Sequence, residues 1–80
     1  MENIKVRRLK NKDEFHIFAN IQGENILIGY VLFWFEKDSG WIYRSQVHTH
    51  SKIYSQTSYT CESAVNSVVR MYEERVLNEF

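Results

Sequence analysis

The sequence predicts an α+β domain in which an antiparallel meander sheet of three to four strands precedes one C-terminal amphipathic helix (β-β-β-α or β-β-β-β-α). Residues 14 to 50 contain three runs rich in branched and aromatic residues, separated by short polar segments that contain glycine. Residues 61 to 76 instead repeat apolar side chains every three or four positions, which is typical of an amphipathic helix. A chain of 80 residues is expected to form one domain, residues 1–80, with a small core.

The first twelve residues are predicted to form a basic N-terminal arm or an edge strand. Apolar and polar side chains alternate weakly in residues 3 to 9, which is compatible with a strand. Basic side chains on an edge strand discourage edge-to-edge aggregation. Over the whole chain ten basic residues balance ten acidic ones, so the strong positive field of a typical nucleic-acid-binding protein is not expected. The basic residues of this segment, which form a candidate nucleic-acid arm, are Lys5, Arg7, Arg8, Lys10 and Lys12.

Three strands are predicted within residues 14–50, namely residues 14–21, 26–35 and 41–50. The segments QGEN and KDSG between them are interpreted as four-residue hairpin loops. That interpretation pairs Ile21 with Ile26 and Glu36 with Trp41, and directly opposed residues share a face. The side chains predicted on the helix-covered face are Phe15, Ile17, Ala19, Ile21, Ile28, Tyr30, Leu32, Trp34, Trp41, Tyr43 and Val47.

The helix is predicted over residues 60–78, and residues 51 to 59 are interpreted as a connection. Thr60 is a suitable N-cap, and Glu62 in the first turn suits the positive end of the helix dipole. The chain is expected to end its helix near Asn78. The apolar stripe that should cover the sheet consists of Cys61, Ala64, Val65, Val68, Val69, Tyr72 and Val76.

The second face of the sheet is predicted to be apolar at its centre, although one helix can cover only one face. Gly29 is expected to lie opposite Phe18 and to leave room for that ring. Soluble monomers seldom expose an apolar patch beyond a few hundred Å², so a partner is expected to cover this face. Its polar border is expected to include Glu14, His16, Asn20 and His50. The predicted partner-binding residues are Phe18, Leu27, Val31, Phe33, Phe35, Ile42, Arg44, Gln46 and His48.

Metal binding and catalysis are both disfavoured by the spacing of the candidate residues. His48 and His50 project to one side of a strand, but a third ligand such as His16 lies two strands away, about 10 Å, whereas zinc bonds nitrogen at about 2.0 to 2.1 Å. Cys61 lies at a helix N-terminus, which lowers a thiol pKa in general, but it also begins the apolar stripe and has no neighbouring base. No metal, no cofactor and no enzymatic activity are therefore predicted.

A cytoplasmic location is expected. The single cysteine excludes an internal disulfide and is compatible with a reducing compartment. The longest uninterrupted apolar run, residues 26 to 35, is about half the ~20 residues that a membrane helix needs, and no signal peptide is recognised.

The predicted function is a small non-enzymatic protein-binding module, a regulator or inhibitor that uses the outer sheet face for self-association or for a protein target. An aromatic centre with charges at the rim fits such an interface. Its size and lack of motifs fit the small regulators carried by phages and other mobile elements. The alternative is a nucleic-acid-binding domain that uses the sheet aromatics and the basic arm.

The order of three strands and a helix resembles the small DNA-binding domains of the AP2 and integrase arm-binding type. The resemblance rests on this topology and on no sequence motif, and it implies a sheet that lies in the major groove. The sheets of those domains are basic, whereas this predicted sheet carries a single arginine, Arg44, near the acidic residues Glu14 and Glu36.

Overall fold

The fold is a five-stranded antiparallel meander with one C-terminal helix, seen in a computed structural model that describes residues 3–77. The predicted α+β class is confirmed, with one or two strands more than predicted. Neighbouring strands in the chain are also neighbours in the sheet, in the order β1-β2-β3-β4-β5. The elements are β1 (Ile4–Arg8), β2 (Glu14–Ile21), β3 (Glu24–Glu36), β4 (Gly40–His48), β5 (Ile53–Ser58) and α1 (Cys61–Arg75).

Strand β5 occupies a segment in which the sequence predicts only a connection, and that prediction is wrong. It pairs with β4 from Tyr43 opposite Ser58 to His48 opposite Ile53. The sequence pattern hides this strand because it lies at the sheet edge and most of its residues are polar and exposed. At the opposite edge, residues 4 to 8 of the basic segment form β1, while Met1 and Glu2 lie outside the described residues.

Both hairpin loops are shorter than the predicted four residues. The first is the two-residue turn Gln22-Gly23, in which both residues have positive φ, 52° and 84°, as a type I′ turn requires. It pairs Ile21 with Glu24 and not with Ile26. The second loop contains Lys37, Asp38 and Ser39, so that Glu36 pairs with Gly40. The shorter second loop shifts the β3–β4 register by one residue relative to the prediction.

A β-bulge on β3 changes which side chains face the helix. Ile17 pairs with Gly29 and Phe18 with Leu27, which leaves Ile28 as the extra residue. Ile28 is buried in the core cluster, and the Cα–H of Gly29 also points to the helix, where an added Cβ would lie 2.5 Å from Cγ1 of Val68. Two consecutive residues therefore face the helix, and the alternation is reversed from Gly29 onward.

This reversal corrects the predicted faces of β3. Val31, Phe33 and Phe35 lie on the helix side of the sheet, where Val31 is fully buried and Phe33 is 8% exposed. The residues predicted there, Tyr30, Leu32 and Trp34, lie on the other side. Gly29 is not opposite Phe18, since Leu27 occupies that position. The predicted faces of the other two strands agree with the structure.

Helix α1 packs chiefly on β3, β4 and β5. Thr60 caps it as predicted, its Oγ1 accepting from the Ser63 N–H at 3.1 Å. The helix begins beside the middle of β4, where the buried Ser45 Oγ donates to the Ala64 carbonyl at 2.7 Å. Its C-terminal end lies near the start of β5, since the Arg75 guanidinium is 5.1 Å from the ring centroid of Tyr54. The helix therefore runs away from the β3–β4 loop.

The core lies between this helix and the sheet. The helix ends at Arg75 with Val76 as its C-cap, earlier than the predicted end near Asn78, a residue that lies outside the described part of the chain. Within residues 3–77, no helix is long and apolar enough to cross a membrane. The buried core residues are Ile17, Ala19, Ile28, Val31, Val47, Ala64, Val68 and Met71.

Candidate functional site: the outer sheet face

The outer sheet face, defined as the side of the sheet opposite α1, carries large apolar side chains at its centre. In the described part of the chain, no helix or additional strand packs on it. The strand pairings align its residues in rows across the sheet, such as His16, Tyr30 and Gln46 on β2, β3 and β4. Its aromatic and aliphatic side chains are Phe18, Leu27, Tyr30, Leu32, Trp34, Ile42 and Ile53.

A row of four rings crosses the outer face from β2 to β4. The His16 ring meets Tyr30 edge-on at 4.9 Å between centroids, and Tyr30 lies 5.2 Å from His48. Phe18 extends the row on the other side of His16, at 6.5 Å. The His16 Nε2 is held by a 2.8 Å hydrogen bond to the Glu14 carboxylate. The row is thus a continuous aromatic strip with one fixed imidazole.

A second apolar group lies nearer the β3–β4 loop. Trp34 pairs with Ile42 across the strands, and Ile42 is only 6% exposed although the helix lies on the opposite side of the sheet. The Trp34 indole N–H donates to the Glu36 carboxylate at 3.0 Å, and the Arg44 guanidinium lies 5.4 Å from the indole centroid. Trp34 is therefore fixed in place by a carboxylate and by a cation–π contact.

Charges stand mainly around these apolar groups. Lys5 pairs with Phe18, and Arg7 pairs with His16, so β1 places two cations along one edge of the outer face. A cavity of about 480 Å³ opens there, lined by Lys5, Val6, Arg7, Phe18 and Asn25. Arg8 lies on the helix side, over the Phe33 ring. Lys10 and Lys12 are exposed in the segment between β1 and β2. The basic residues of the predicted arm are therefore divided among the outer face, the helix side and this segment.

Six of the nine predicted partner-binding residues lie on the outer face: Phe18, Leu27, Ile42, Arg44, Gln46 and His48. The other three, Val31, Phe33 and Phe35, lie on the helix side for the reason given above. Sequence reasoning missed Tyr30, Leu32 and Trp34. Gly29 was the signal that could have found them, because a glycine inside a strand often marks a bulge.

A second aromatic group lies on the helix side, beyond the N-terminal end of α1. Phe15 and Phe33 stack at 4.9 Å between centroids, and Trp41 meets Phe35 edge-on at 5.5 Å. Phe35 is 61% and Trp41 50% exposed, because α1 runs away from this end of the sheet. We call Phe15, Phe33, Phe35, Trp41 and Tyr43 the helix-side aromatic cluster.

The remaining candidate residues are not brought together. Among residues 3–77 no three histidine, cysteine, aspartate or glutamate side chains are grouped so that they could hold a metal ion. His16 and His48 lie on opposite sides of the Tyr30 ring, and His50 follows the end of β4. Cys61 is a free, partly exposed thiol at the first residue of α1.

The comparisons with known proteins add no functional assignment. No protein family, curated protein or solved structure matches this chain significantly.

Proposed function

We propose that this chain is a non-enzymatic protein-binding module and that its outer sheet face associates with the same face of a second copy. The observation that carries the proposal is the apolar centre of the outer face, which in the described structure lacks a covering layer, whereas the other face has its helix. A twofold interface uses one patch twice, so no further surface is required. The resulting dimer would have two sheets between two helices.

The charge distribution supports pairing with a protein surface. Aromatic and aliphatic residues occupy the centre, while the cations of β1 stand at one edge. Three other charged residues of this face already have partners in the chain. Glu14 bonds His16, Glu36 accepts from Trp34, and the Arg44 guanidinium lies 5.4 Å from the Trp34 ring centroid. Interfaces of this kind combine an apolar core with a polar rim. Trp34 and Tyr30 belong to the residue types that most often dominate binding energy.

The available area supports a weak and specific dimer. Five strands at about 4.8 Å spacing span about 24 Å, and eight residues of strand extend about 26 Å. The face therefore offers about 600 Å² per copy, or about 1,200 Å² for a pair, at the lower end of specific interfaces. We expect the dissociation constant of the dimer to be micromolar or higher.

Leu32→Glu is expected to raise the dissociation constant of the dimer about 100-fold, because each copy would lose an apolar contact at the centre of the interface and would have to bury a carboxylate there, which costs free energy even beside Arg44. Leu32 lies between Glu14 and Arg44 across the strands. Analytical ultracentrifugation over a concentration series would measure the effect, and circular dichroism would verify that the variant folds.

Phe35→Glu is the matched control, because Phe35 lies on the helix side and is 61% exposed. It should leave the mass distribution unchanged. A wild-type protein that stays monomeric at millimolar concentration would contradict self-association and direct attention to a different protein target. Disruption by Phe35→Glu with no effect of Leu32→Glu would assign the contact to the other face.

A nucleic-acid-binding function is the second candidate, and one observation favours it. Lys5 and Arg7 line the same cavity as Phe18. Two cations of the kind that contact phosphates therefore lie beside a ring of the kind on which bases stack. Single-stranded binding falls with salt by a log–log slope of about 0.7 for each neutralised phosphate. An apolar protein interface lacks this dependence.

Lys5→Ala combined with Arg7→Ala should reduce that slope by about 1.4 if this candidate is correct, because two phosphate contacts are lost. Fluorescence anisotropy with a labelled single-stranded oligonucleotide at several salt concentrations would measure it. Lys10→Ala combined with Lys12→Ala removes the same charge from the segment between β1 and β2 and should leave the slope unchanged. Absence of binding at low salt would eliminate the candidate.

A further inference from the structure

The helix-side aromatic cluster contains a small pocket that has a cation of the chain itself in its wall. The pocket has a volume of about 260 Å³ and is lined by Arg8, Asp13, Phe15, Phe33, Trp41 and Tyr43. The Arg8 guanidinium carbon lies 5.2 Å from the ring centroid of Phe33. Its Nη2 lies 3.6 Å from the Asp13 Oδ1. One arginine thus contacts both the aromatic lining and the carboxylate of the same pocket.

The pocket is positioned by the backbone of three strands. The Phe33 N–H donates to the Asp13 carbonyl at 3.1 Å, which fixes the start of β2 against β3. The Leu9 N–H donates to the Glu14 carbonyl at 3.0 Å and closes the segment that follows Arg8. Phe33 lies within 6.0 Å of both Trp41 and Tyr43, measured between ring centroids. The aromatic lining and the carboxylate are therefore held in fixed relative positions.

We propose that this pocket binds the arginine or lysine side chain of a polypeptide ligand and that Arg8 makes the cation contacts with Phe33 and Asp13 in the absence of that ligand. The faces of aromatic rings attract cations, and the carboxylate of Asp13 adds a full negative charge. That carboxylate also repels anions. The exposed rings of Phe35 and Trp41 extend beyond the pocket and offer apolar contact to residues on either side of the bound side chain.

Arg8 is suited to exchange with an external cation. The side chains of Arg8 and Asp13 are 62% and 67% exposed, and exposed ion pairs contribute little to stability. A ligand that enters must displace Arg8 from Phe33 and Asp13. Its apparent affinity is therefore the intrinsic affinity multiplied by the fraction of time for which Arg8 leaves these two groups free. Removal of Arg8 should consequently strengthen binding of a cation, while removal of the Asp13 charge should weaken it.

The experiment is a titration of ¹⁵N-labelled protein with N-acetyl-arginine amide, followed through the two indole N–H signals. Trp41 lines the pocket, whereas Trp34 lies on the outer face with its N–H bonded to Glu36, so Trp34 serves as an internal control. We expect the Trp41 signal to shift with a dissociation constant in the millimolar range, which is reasonable for so small a ligand. The neutral analogue N-acetyl-citrulline amide should not shift it.

Variants separate this proposal from a nonspecific contact. Arg8→Ala should bind the arginine probe about three- to tenfold more tightly than the wild type, since the internal competitor is gone. Asp13→Asn should bind about threefold more weakly. Arg7→Ala, one residue away on the outer face, should behave as the wild type. The proposal is overturned if Arg8→Ala binds no more tightly than the wild type, or if the citrulline probe binds as well as the arginine probe.

Discussion

Phe33→Ala is expected to lower the free energy of unfolding by about 3 to 5 kcal/mol, the usual cost of truncating a buried phenylalanine. Phe33 is 8% exposed and stacks on Phe15 at 4.9 Å between centroids. A chain of this length is stable by only about 4 to 12 kcal/mol, so the variant should retain little of its stability. Urea denaturation of the wild type and of Phe33→Ala at low temperature, where the variant should still be folded enough to measure, gives the difference in the free energy of unfolding.

Phe35→Ala is the matched control for this measurement. It removes the same side chain two residues later on the same strand and the same face, but Phe35 is 61% exposed. We expect a loss below about 1 kcal/mol. If both variants lose the same amount, or if Phe33→Ala loses less than Phe35→Ala, the register of β3 described above is incorrect.

The faces on which Phe33 and Phe35 lie could not be predicted from the sequence. Strict alternation from Ile26 to Phe35 assigns Phe33 to the outer face, and the sequence of that strand contains nothing that contradicts it except Gly29. One extra residue at Ile28 reverses the assignment for every later position of the strand. Whether that residue forms a bulge depends on the helix, because Gly29 approaches Val68 from 39 positions earlier in the chain.

The helix and the three central strands were predictable because local signals specify them. Thr60 supplies the cap, the apolar spacing of three and four supplies the helix face, and branched residues mark the strands. Loop length was not predictable to the same accuracy, since QGEN fits either a two-residue or a four-residue loop. The positive φ of Gln22 selects the shorter loop, although glutamine is not a typical residue for that conformation.

The sequence predicts that the outer face is apolar, but it does not predict correctly all the residues that form this face. An apolar outer face follows from two features of the sequence, the excess of large apolar residues in β3 and a helical pattern that predicts one helix to cover one face. The bulge exchanged one set of three side chains for another, and both sets are large and apolar. Tyr30, Leu32 and Trp34 therefore occupy the central positions that Val31, Phe33 and Phe35 were predicted to fill.

Gly29→Ala is expected to destabilise the domain by about 3 kcal/mol or more, because the new methyl group has no space on the helix side of the sheet. Its Cβ would lie 2.5 Å from Cγ1 of Val68 and 2.7 Å from the backbone oxygen of Gln46. The Val68 side chain can move, but the Gln46 oxygen belongs to the neighbouring strand. Thermal unfolding followed by circular dichroism would measure the loss.

Gly23→Ala separates this steric effect from the general cost of replacing a glycine. Gly23 has a φ of +84° in the first turn, and nothing lies within 4 Å of an added Cβ. Its replacement should cost only about 1 to 2 kcal/mol, the strain of an L-residue in the left-handed region. In the double variant Gly29→Ala with Val68→Ala, the combined loss should be smaller than the sum of the single losses by about 0.5 kcal/mol or more, because Val68→Ala removes one of the two clashes. Strict additivity would mean that Gly29 does not contact Val68, and the close approach of α1 to β3 that fixes the bulge would then be incorrect.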